Sequence, residues 1–344
     1  MEKTMRFLSI AALALVGAVM TGCSSEDNFT AQPQQQVADK GNVVTVTATV
    51  GLGEQAGTRK LTIDGSKGVK TFAVGDKIAV VYQNTSGTMV KAETAALIAT
   101  DITSGGKSAK ITVTMTNPKA SGTVKYIYPA EMAGETDVDY TKLNSQDGSL
   151  DNLGKKFDLA VYDGNLTSEA KLPASATLEN KLSILAITLK NSGSSDITST
   201  ITGMTLGDGT NTYSVTREAA AGPIYVAIQP TTSASISITA TDGSKNYAKS
   251  LTGKDYAANN GYNVSWTVKQ QYSITITGPY SGATLNMEFC EGDTWNDMAE
   301  KYPTYIKTYS HNWVGFYTDG FIYGNDTKVI KTAQIDPNAT YTIQ

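Results

Sequence analysis

Residues 41–61 read GNVVTVTATVGLGEQAGTRKL, a stretch that joins a strongly alternating segment to a glycine-rich loop and an arginine. Because successive side chains of a β-strand point to opposite faces, this period of two predicts a strand with one buried face and one threonine-rich face. The apolar positions are Val44, Val46, Ala48 and Val50. Proteases cut readily in exposed, glycine-rich loops, so the Arg59–Lys60 bond is a candidate cleavage site. Both a removable first strand and a permanent strand followed by an ordinary loop arginine fit this pattern.

The same period of two recurs along most of the chain after residue 43. Short segments rich in β-branched and aromatic residues are separated by Gly, Asn, Asp and Ser, which is typical of strands and turns. The segments include VTVTATV, KIAVVY, AKITVTMT, TVKYIY, ILAITLK, IYVAIQ and SISITA. This pattern predicts an all-β fold. Two β-rich blocks, residues 42–165 and 166–269, each have the size of one β-sandwich domain.

Residues 270–344 have a different composition and predict a third module. They contain thirteen of the chain's 28 aromatic residues. The segment GDTWNDMAEKYP (292–303) predicts a helix, because Asp293 or Thr294 can cap it, Thr294 and Asp297 fit a capping box, and Pro303 stops it. We therefore expect a small α+β module. The alternation through VSWTVKQQYSITI predicts either one long strand that enters this module or a break at Gln270–Gln271.

Several aromatic residues of this module are candidate glycan contacts. Tryptophan and tyrosine on an exposed face could stack on sugar rings, although small domains also need aromatic side chains to build a core. For Trp295, on the predicted helix, we favour the core. The candidate glycan contacts are Trp313, Phe316 and Tyr317.

The N-terminal residues predict export and attachment to a lipid. Residues 1–22 combine Lys3 and Arg6 with the apolar run FLSIAALALVGAVM, as in a signal peptide. The sequence MTGC that ends at Cys23 resembles the lipobox of bacterial lipoproteins, in which the cysteine becomes the lipidated N-terminus. The alternative is ordinary secretion. Residues 23–41 are polar and glutamine-rich, which predicts a flexible tether between a lipid anchor at Cys23 and the folded domains.

Composition argues against several classes of function. The formal charge is -4, the pI is near 5.2, and the sequence contains no cluster of basic residues. These properties argue against binding to nucleic acid. One histidine, His311, and two cysteines provide neither a zinc site nor a disulfide framework. The acidic residues near the predicted helix are explained by capping and by the helix dipole. We therefore expect no enzyme activity, no metal and no cofactor.

Six segments, taken in order, resemble the fimbrillin-like family of bacterial surface lipoproteins. They are TFAVGDKIAVV (71–81), VKYIYPAE (124–131), QDGSLDNLGKKFDLAVYDG (146–164), LENKLSILAITLKN (178–191), GPIYVAIQP (222–230) and LTGKDYAANNGYNVSWTV (251–268). The resemblance covers about residues 42–269. The chain departs from the family at Phe72, where relatives often carry Trp, and in its aromatic C-terminal module.

The resemblance implies two tandem transthyretin-like β-sandwiches in a subunit of a fimbria that serves cell adhesion. It further implies a lipoprotein precursor in the outer membrane, cleavage after an arginine, and polymerisation by exchange of a strand between subunits. For this chain the cleaved bond would be Arg59–Lys60 and the removed strand would span Val44–Val50. Candidate donor strands are YSITITG (272–278) and ATYTIQ (339–344).

The additional C-terminal module favours a tip or accessory subunit over a shaft subunit. The implied partners are other fimbrial subunits, outer-membrane lipid through Cys23, and host or bacterial glycans or proteins. The alternative hypothesis is a monomeric, surface-exposed, lipid-anchored protein that binds glycans with its aromatic module.

Overall fold

The structure is a computed structural model of the 344-residue chain. It describes residues 42–52, 62–64, 67–69, 71–277, 284–303, 306–308, 313–316, 328–330, 335 and 341–342. Gly41–Gln344 form one compact unit. The predicted signal peptide, the tether, Cys23 and the Arg59–Lys60 bond lie outside the described residues.

The described residues form 24 strands. The first twelve are β1 (Val43–Leu52), β2 (Thr62–Asp64), β3 (Lys67–Val69), β4 (Ala79–Gln83), β5 (Met89–Glu93), β6 (Ile102–Thr103), β7 (Ser108–Thr116), β8 (Thr123–Tyr128), β9 (Ser145–Gln146), β10 (Ala160–Asn165), β11 (Ser175–Asn180) and β12 (Ser183–Lys190). The others are β13 (Gly203–Gly207), β14 (Thr212–Thr216), β15 (Ile224–Ile228), β16 (Thr231–Thr241), β17 (Asn246–Tyr256), β18 (Asn260–Thr267), β19 (Lys269–Thr277), β20 (Thr284–Cys290), β21 (Ile306–Thr308), β22 (Trp313–Phe316), β23 (Lys328–Ile330) and β24 (Tyr341–Thr342).

Helices are few and short in the described part of the chain. The α-helices are α1 (Leu150–Asn152) and α2 (Trp295–Lys301), and a π-helical turn spans Leu153–Phe157. The 3₁₀ turns are Ala99–Asp101, Ser104–Gly106, Ala130–Met132, Tyr140–Asn144 and Thr198–Thr200. Within the described ranges, no helix has the length and apolar character needed to cross a membrane.

The strands assemble into three main sheets. The first has the order β5-β4-β8-β10-β11-β1-β7-β6, and the second has the order β15-β12-β18. The third has the order β20-β19-β17-β16-β13-β14-β9, with β24 paired to β19. Smaller sheets are the β2–β3 hairpin and β21-β22-β23. The predicted all-β fold is confirmed.

The first core is enclosed by the first sheet. β1 and β7 contribute from one half of the sheet, and β4, β8 and β10 contribute from the other. The residues of this core that come last in the sequence are Leu166, Leu172, Ala176 and Leu178. These residues follow the boundary predicted at residue 165, because β11 pairs with β1 and so completes the first sheet. The division into two sandwich domains stays a prediction.

The second core lies between the second and third sheets and extends to the back of the first. Ala79 and Val81 of β4 pack in this second core, whereas Val80 and Tyr82 pack in the first. Because both faces of β4 are buried, its sequence is a continuous apolar run, so the period of two predicted for KIAVVY is wrong for this strand.

At the junction with the C-terminal module, the strand is interrupted at Val268 and not at Gln270–Gln271. β18 belongs to the second sheet and β19 to the third, so the chain changes sheets between Thr267 and Lys269. Val268 is fully buried, and its N–H donates a hydrogen bond to the carbonyl of Lys190 at 2.8 Å. This buried anchor ties the module to β12.

The predicted helix is α2, which begins after Thr294 as expected. Thr294 N–H donates to Asp297 Oδ2 at 2.7 Å, and Asp297 N–H donates to Thr294 Oγ1 at 3.4 Å, which is a capping box. The third core contains Trp295, which is 2% exposed. The core interpretation of Trp295 is therefore confirmed.

Replacing the capping threonine should weaken the C-terminal module. We expect Thr294→Ala to lower the free energy of unfolding by about 1 kcal/mol, because the N–H of Asp297 loses its acceptor. Chemical denaturation monitored by tryptophan fluorescence measures this loss. Thr294→Ser is the control, since serine keeps the acceptor, and equal stability of the two variants would contradict the capping role.

Candidate functional site

β1 is the strand on which the candidate site depends. It pairs antiparallel with β7 from Val43↔Thr116 to Gly51↔Ser108, and parallel with β11 from Thr49↔Ser175 to Leu52↔Leu178. In the described part of the chain, Val43–Ala48 pair with β7 alone. Within the described ranges, the N-terminal half of β1 therefore has a neighbouring strand on one side only, although β1 lies inside the sheet order.

The two faces of β1 differ as the sequence predicts. The buried side chains, all at most 8% exposed, are Val46, Ala48, Val50 and Leu52. Val44 is half-buried against the same core. On the exposed face, Thr45 Oγ1 lies 3.1 Å from Thr114 Oγ1, and Thr47 Oγ1 lies 3.3 Å from Thr112 Oγ1. The exposed face thus forms threonine pairs with β7.

Burial of β1 is a large part of the stability of the first core. Fully burying a valine or leucine side chain contributes about 1.5 to 3 kcal/mol, so Val46, Val50 and Leu52 together contribute about 5 to 9 kcal/mol. The whole stability of a typical domain is about 5 to 15 kcal/mol. Without β1, the apolar residues of β7 and the backbone groups that pair with β1 would face an open groove.

The residues that flank the candidate cleavage loop, Leu52 and Phe72, are both hydrogen-bonded to the turn at Gly106 and Lys107. Leu52 N–H donates to the carbonyl of Lys107 at 2.8 Å, and Phe72 N–H donates to the carbonyl of Gly106 at 2.8 Å. Gly106 has φ +88°, and a Cβ there would lie 2.8 Å from Thr71 Cβ, so this close approach requires glycine. The β2–β3 hairpin, which lies between Leu52 and Phe72 in the sequence, is adjacent to β18.

One polar group in the first core has no hydrogen-bond partner among the described residues. It is the hydroxyl of Tyr126, whose side chain is fully buried and whose ring centroid lies 5.2 Å from that of Tyr162. Burial raises the pKa of Tyr126, and the neighbouring Tyr162 adds to the increase. The phenol therefore stays neutral at physiological pH.

Removing this hydroxyl should stabilise the protein. We expect Tyr126→Phe to raise the free energy of unfolding by about 1 kcal/mol, because a buried hydroxyl without a partner opposes folding. Tyr82→Phe is the control, since the Tyr82 hydroxyl donates to the carbonyl of Thr116 at 3.1 Å and accepts from its N–H at 2.7 Å. Chemical denaturation should give opposite signs for the two variants, and equal losses would contradict this assignment.

The other predicted site residues lie largely outside the described part. Cys23, Arg59, Lys60 and Tyr317 are outside it, and of Trp313 and Phe316 only the backbone is described, in β22. Cleavage, lipidation and glycan contact at these positions therefore stay predictions. Among the described residues, no group of three or more His, Cys, Asp or Glu side chains could hold a metal ion.

The two candidate donor segments are paired very differently. The first is mostly β19, which pairs with β20 over seven residue pairs, Gln271↔Cys290 to Thr277↔Thr284. The terminal segment contributes β24, which pairs with β19 through Ile276↔Tyr341 and Thr277↔Thr342. In the described part of the chain, the terminal segment therefore has fewer strand contacts to lose.

Two features of the site were missed in the sequence. Leu52 extends the buried face of β1 by one position, and β11 is a direct neighbour of β1. The alternation of Ala176 and Leu178 with polar residues could have predicted β11 as a half-buried strand. Its partner could not be predicted, because strand pairing depends on contacts that are distant in sequence.

The described residues define an all-β protein whose first core is completed by its first described strand. No protein-family model matches the chain, and no curated protein matches it. A fimbrial assembly protein from Parabacteroides distasonis is 8% identical, with 73% of this chain and 99% of that chain covered and a TM-score of 0.37. A fimbrial protein from Bacteroides ovatus is 11% identical, with 72% and 53% covered and a TM-score of 0.26.

A streptococcal ancillary pilin is 9% identical, with 83% of each chain covered and a TM-score of 0.23. At these identities and TM-scores the solved structures do not assign the chain to a family.

Proposed function

We propose that the protein is a fimbrial subunit, exported as a lipid-anchored precursor and assembled by strand exchange after cleavage of the Arg59–Lys60 bond. The observation that carries the proposal is the position of β1. Its buried side chains fill the first core, and the chain that joins it to the rest of the protein contains Arg59. One cut would therefore free a strand that the core needs.

Cleavage would change how β1 is held. In the intact chain the strand is tethered next to its groove, and a tether of this length gives a high effective concentration. After a cut at Arg59, only side-chain burial and backbone pairing would hold it. Among the described residues, pairing on both sides is limited to Thr49–Leu52, so separation can start at the end near Val43, which pairs there with β7 alone.

A strand from a second subunit would then restore what β1 supplied. Buried N–H and C=O groups require partners, so the open groove favours an extended segment that pairs with β7 and β11. The segment 339–344 suits this role, because Ala339, Tyr341 and Ile343 alternate with Thr340 and Thr342. In an antiparallel register these threonines would replace Thr45 and Thr47 opposite β7.

The remaining parts of the proposal rest on sequence. Cys23 would carry the lipid that holds the precursor at the outer membrane, and the fimbria would serve adhesion at the cell surface. The C-terminal module, with α2 and a core of its own, is additional to the two larger cores and supports a tip or accessory role.

Treating the purified precursor with an arginine-specific protease tests this function. We expect a new N-terminus at Lys60, followed by a ladder of oligomers in size-exclusion chromatography. Arg59→Ala is the control and should stay intact and monomeric. A product that is cut after Arg59 but remains monomeric would contradict strand exchange and would favour the lipid-anchored glycan-binding alternative.

A further inference from the structure

Arginine is rare in this chain. The sequence contains 25 lysines but only three arginines, Arg6, Arg59 and Arg217. Arg6 lies in the predicted signal peptide, so two arginines remain as sites for an arginine-specific protease. Arg217 precedes EAAAG, a run of small residues before a turn, which resembles an exposed loop as much as the sequence around Arg59 does. From sequence alone, both bonds are candidates for cleavage.

In the folded chain, the Arg217 side chain bends back onto the loop that follows it. Its Nε donates to the carbonyl of Glu218 at 3.1 Å, and its Nη2 donates to the carbonyl of Ala220 at 2.6 Å. The backbone N–H of Arg217 donates to the carbonyl of Thr202 at 2.9 Å. The guanidinium therefore holds the first and third residues beyond the bond that would be cleaved.

The residues before Arg217 are also fixed. Val215 and Thr216 belong to β14 and pair with Met204 and Gly203 of β13, and Val215 is 2% exposed. A protease binds several residues on each side of the cut in an extended form and takes the arginine side chain into its own pocket. Cleavage after Arg217 would thus require local unfolding of a sheet strand as well as release of the guanidinium. Burial lowers the pKa of Arg217, in agreement with a guanidinium partly removed from water.

We propose that the fold masks Arg217, so that arginine-specific processing acts at Arg59 and spares the second core. This inference rests on the proposed processing after Arg59. A cut after Arg217 would sever the chain between β14 and β15, whose Val215 and Ile224 both pack in the second core. Masking restricts processing to the one bond that frees β1.

Digestion of the full chain by an arginine-specific protease, followed by intact-mass spectrometry, tests the masking. We use Arg59→Lys, which leaves Arg217 as the only arginine after the signal peptide, so the result does not depend on whether Arg59 is cut. The folded chain should yield no 218–344 fragment, whereas the same chain in urea should yield it. Rapid cleavage of the folded Arg59→Lys chain after Arg217 would overturn the proposal, even if processing at Arg59 occurs.

The variant Gly222→Val tests whether the loop after Arg217 prevents cleavage, or whether any folded chain would resist the protease to the same degree. Gly222 has φ +89°, and no described atom lies within 4 Å of an added Cβ, so valine would strain the loop after Arg217 without a clash among the described residues. We expect cleavage after Arg217 to become at least about tenfold faster, with little change in melting temperature. Gly243→Val is the matched control, because Gly243 also has φ +89° with no described atom within 4 Å of an added Cβ, and it lies in the β16–β17 turn outside the β13–β14 hairpin. Equal cleavage rates in both variants would overturn the proposal.

Discussion

Replacing Val50 with aspartate is expected to unfold the first core of the precursor. Val50 is fully buried, so the variant would place a carboxylate in the core without a partner. The expected loss is more than about 4 kcal/mol, which approaches the whole stability of a typical domain. Thermal denaturation of the purified precursor, together with its expression level, measures this effect.

Thr49→Asp is the matched control for this substitution. Thr49 is the neighbouring residue of the same strand, but its side chain is exposed and its register partner on β7 is Lys110. We expect its melting temperature to stay within a few degrees of that of the unchanged protein, since exposed substitutions usually change stability by less than about 0.5 kcal/mol. Similar losses in both variants would show that the buried face of β1 is not what stabilises the core.

A peptide with the sequence of residues 42–52 is expected to stop polymer formation by the cleaved protein. The peptide would carry the four buried side chains of β1 and would occupy the groove in place of a strand from another subunit. Added in excess after cleavage, it should leave monomers in size-exclusion chromatography, where the untreated sample gives a ladder.

A control peptide with aspartate at the positions of Val46 and Val50 keeps the backbone but cannot fill the core. It should leave the ladder unchanged. Inhibition by both peptides, or by neither, would contradict an assembly that depends on an open β1 groove.

The sequence predicts β1 well because one periodic face is buried and the other faces solvent. Val46, Ala48 and Val50 lie where the period of two places them, and the Thr294–Asp297 capping box of α2 is a local signal of the same kind. In both cases a few neighbouring residues determine the local structure, so no knowledge of distant contacts is needed.

Other features depend on contacts between distant parts of the chain. β4 is buried on two faces because the second core packs behind it, and β11 joins the first sheet through parallel pairing with β1. Arg59 follows a glycine-rich segment and Arg217 precedes a run of small residues, but the hydrogen bonds of Arg217 to the carbonyls of Glu218 and Ala220 follow only from the folded loop.

A reversible lock on β1 tests the exchange of this strand most directly. Thr47 and Thr112 are register partners on β1 and β7, and their hydroxyl oxygens lie 3.3 Å apart, so cysteines at both positions can form a disulfide. The lock would hold β1 in place without protecting the Arg59–Lys60 bond. Thr47→Cys alone is the control.

The measurement is the size distribution of the Thr47→Cys/Thr112→Cys protein after arginine-specific cleavage, with and without reductant. We expect the oxidised protein to be cut at Arg59 but to stay monomeric, and to form the oligomer ladder once dithiothreitol releases β1. Polymers of equal length in the oxidised and reduced samples would show that assembly does not require β1 to leave, which contradicts assembly by strand exchange.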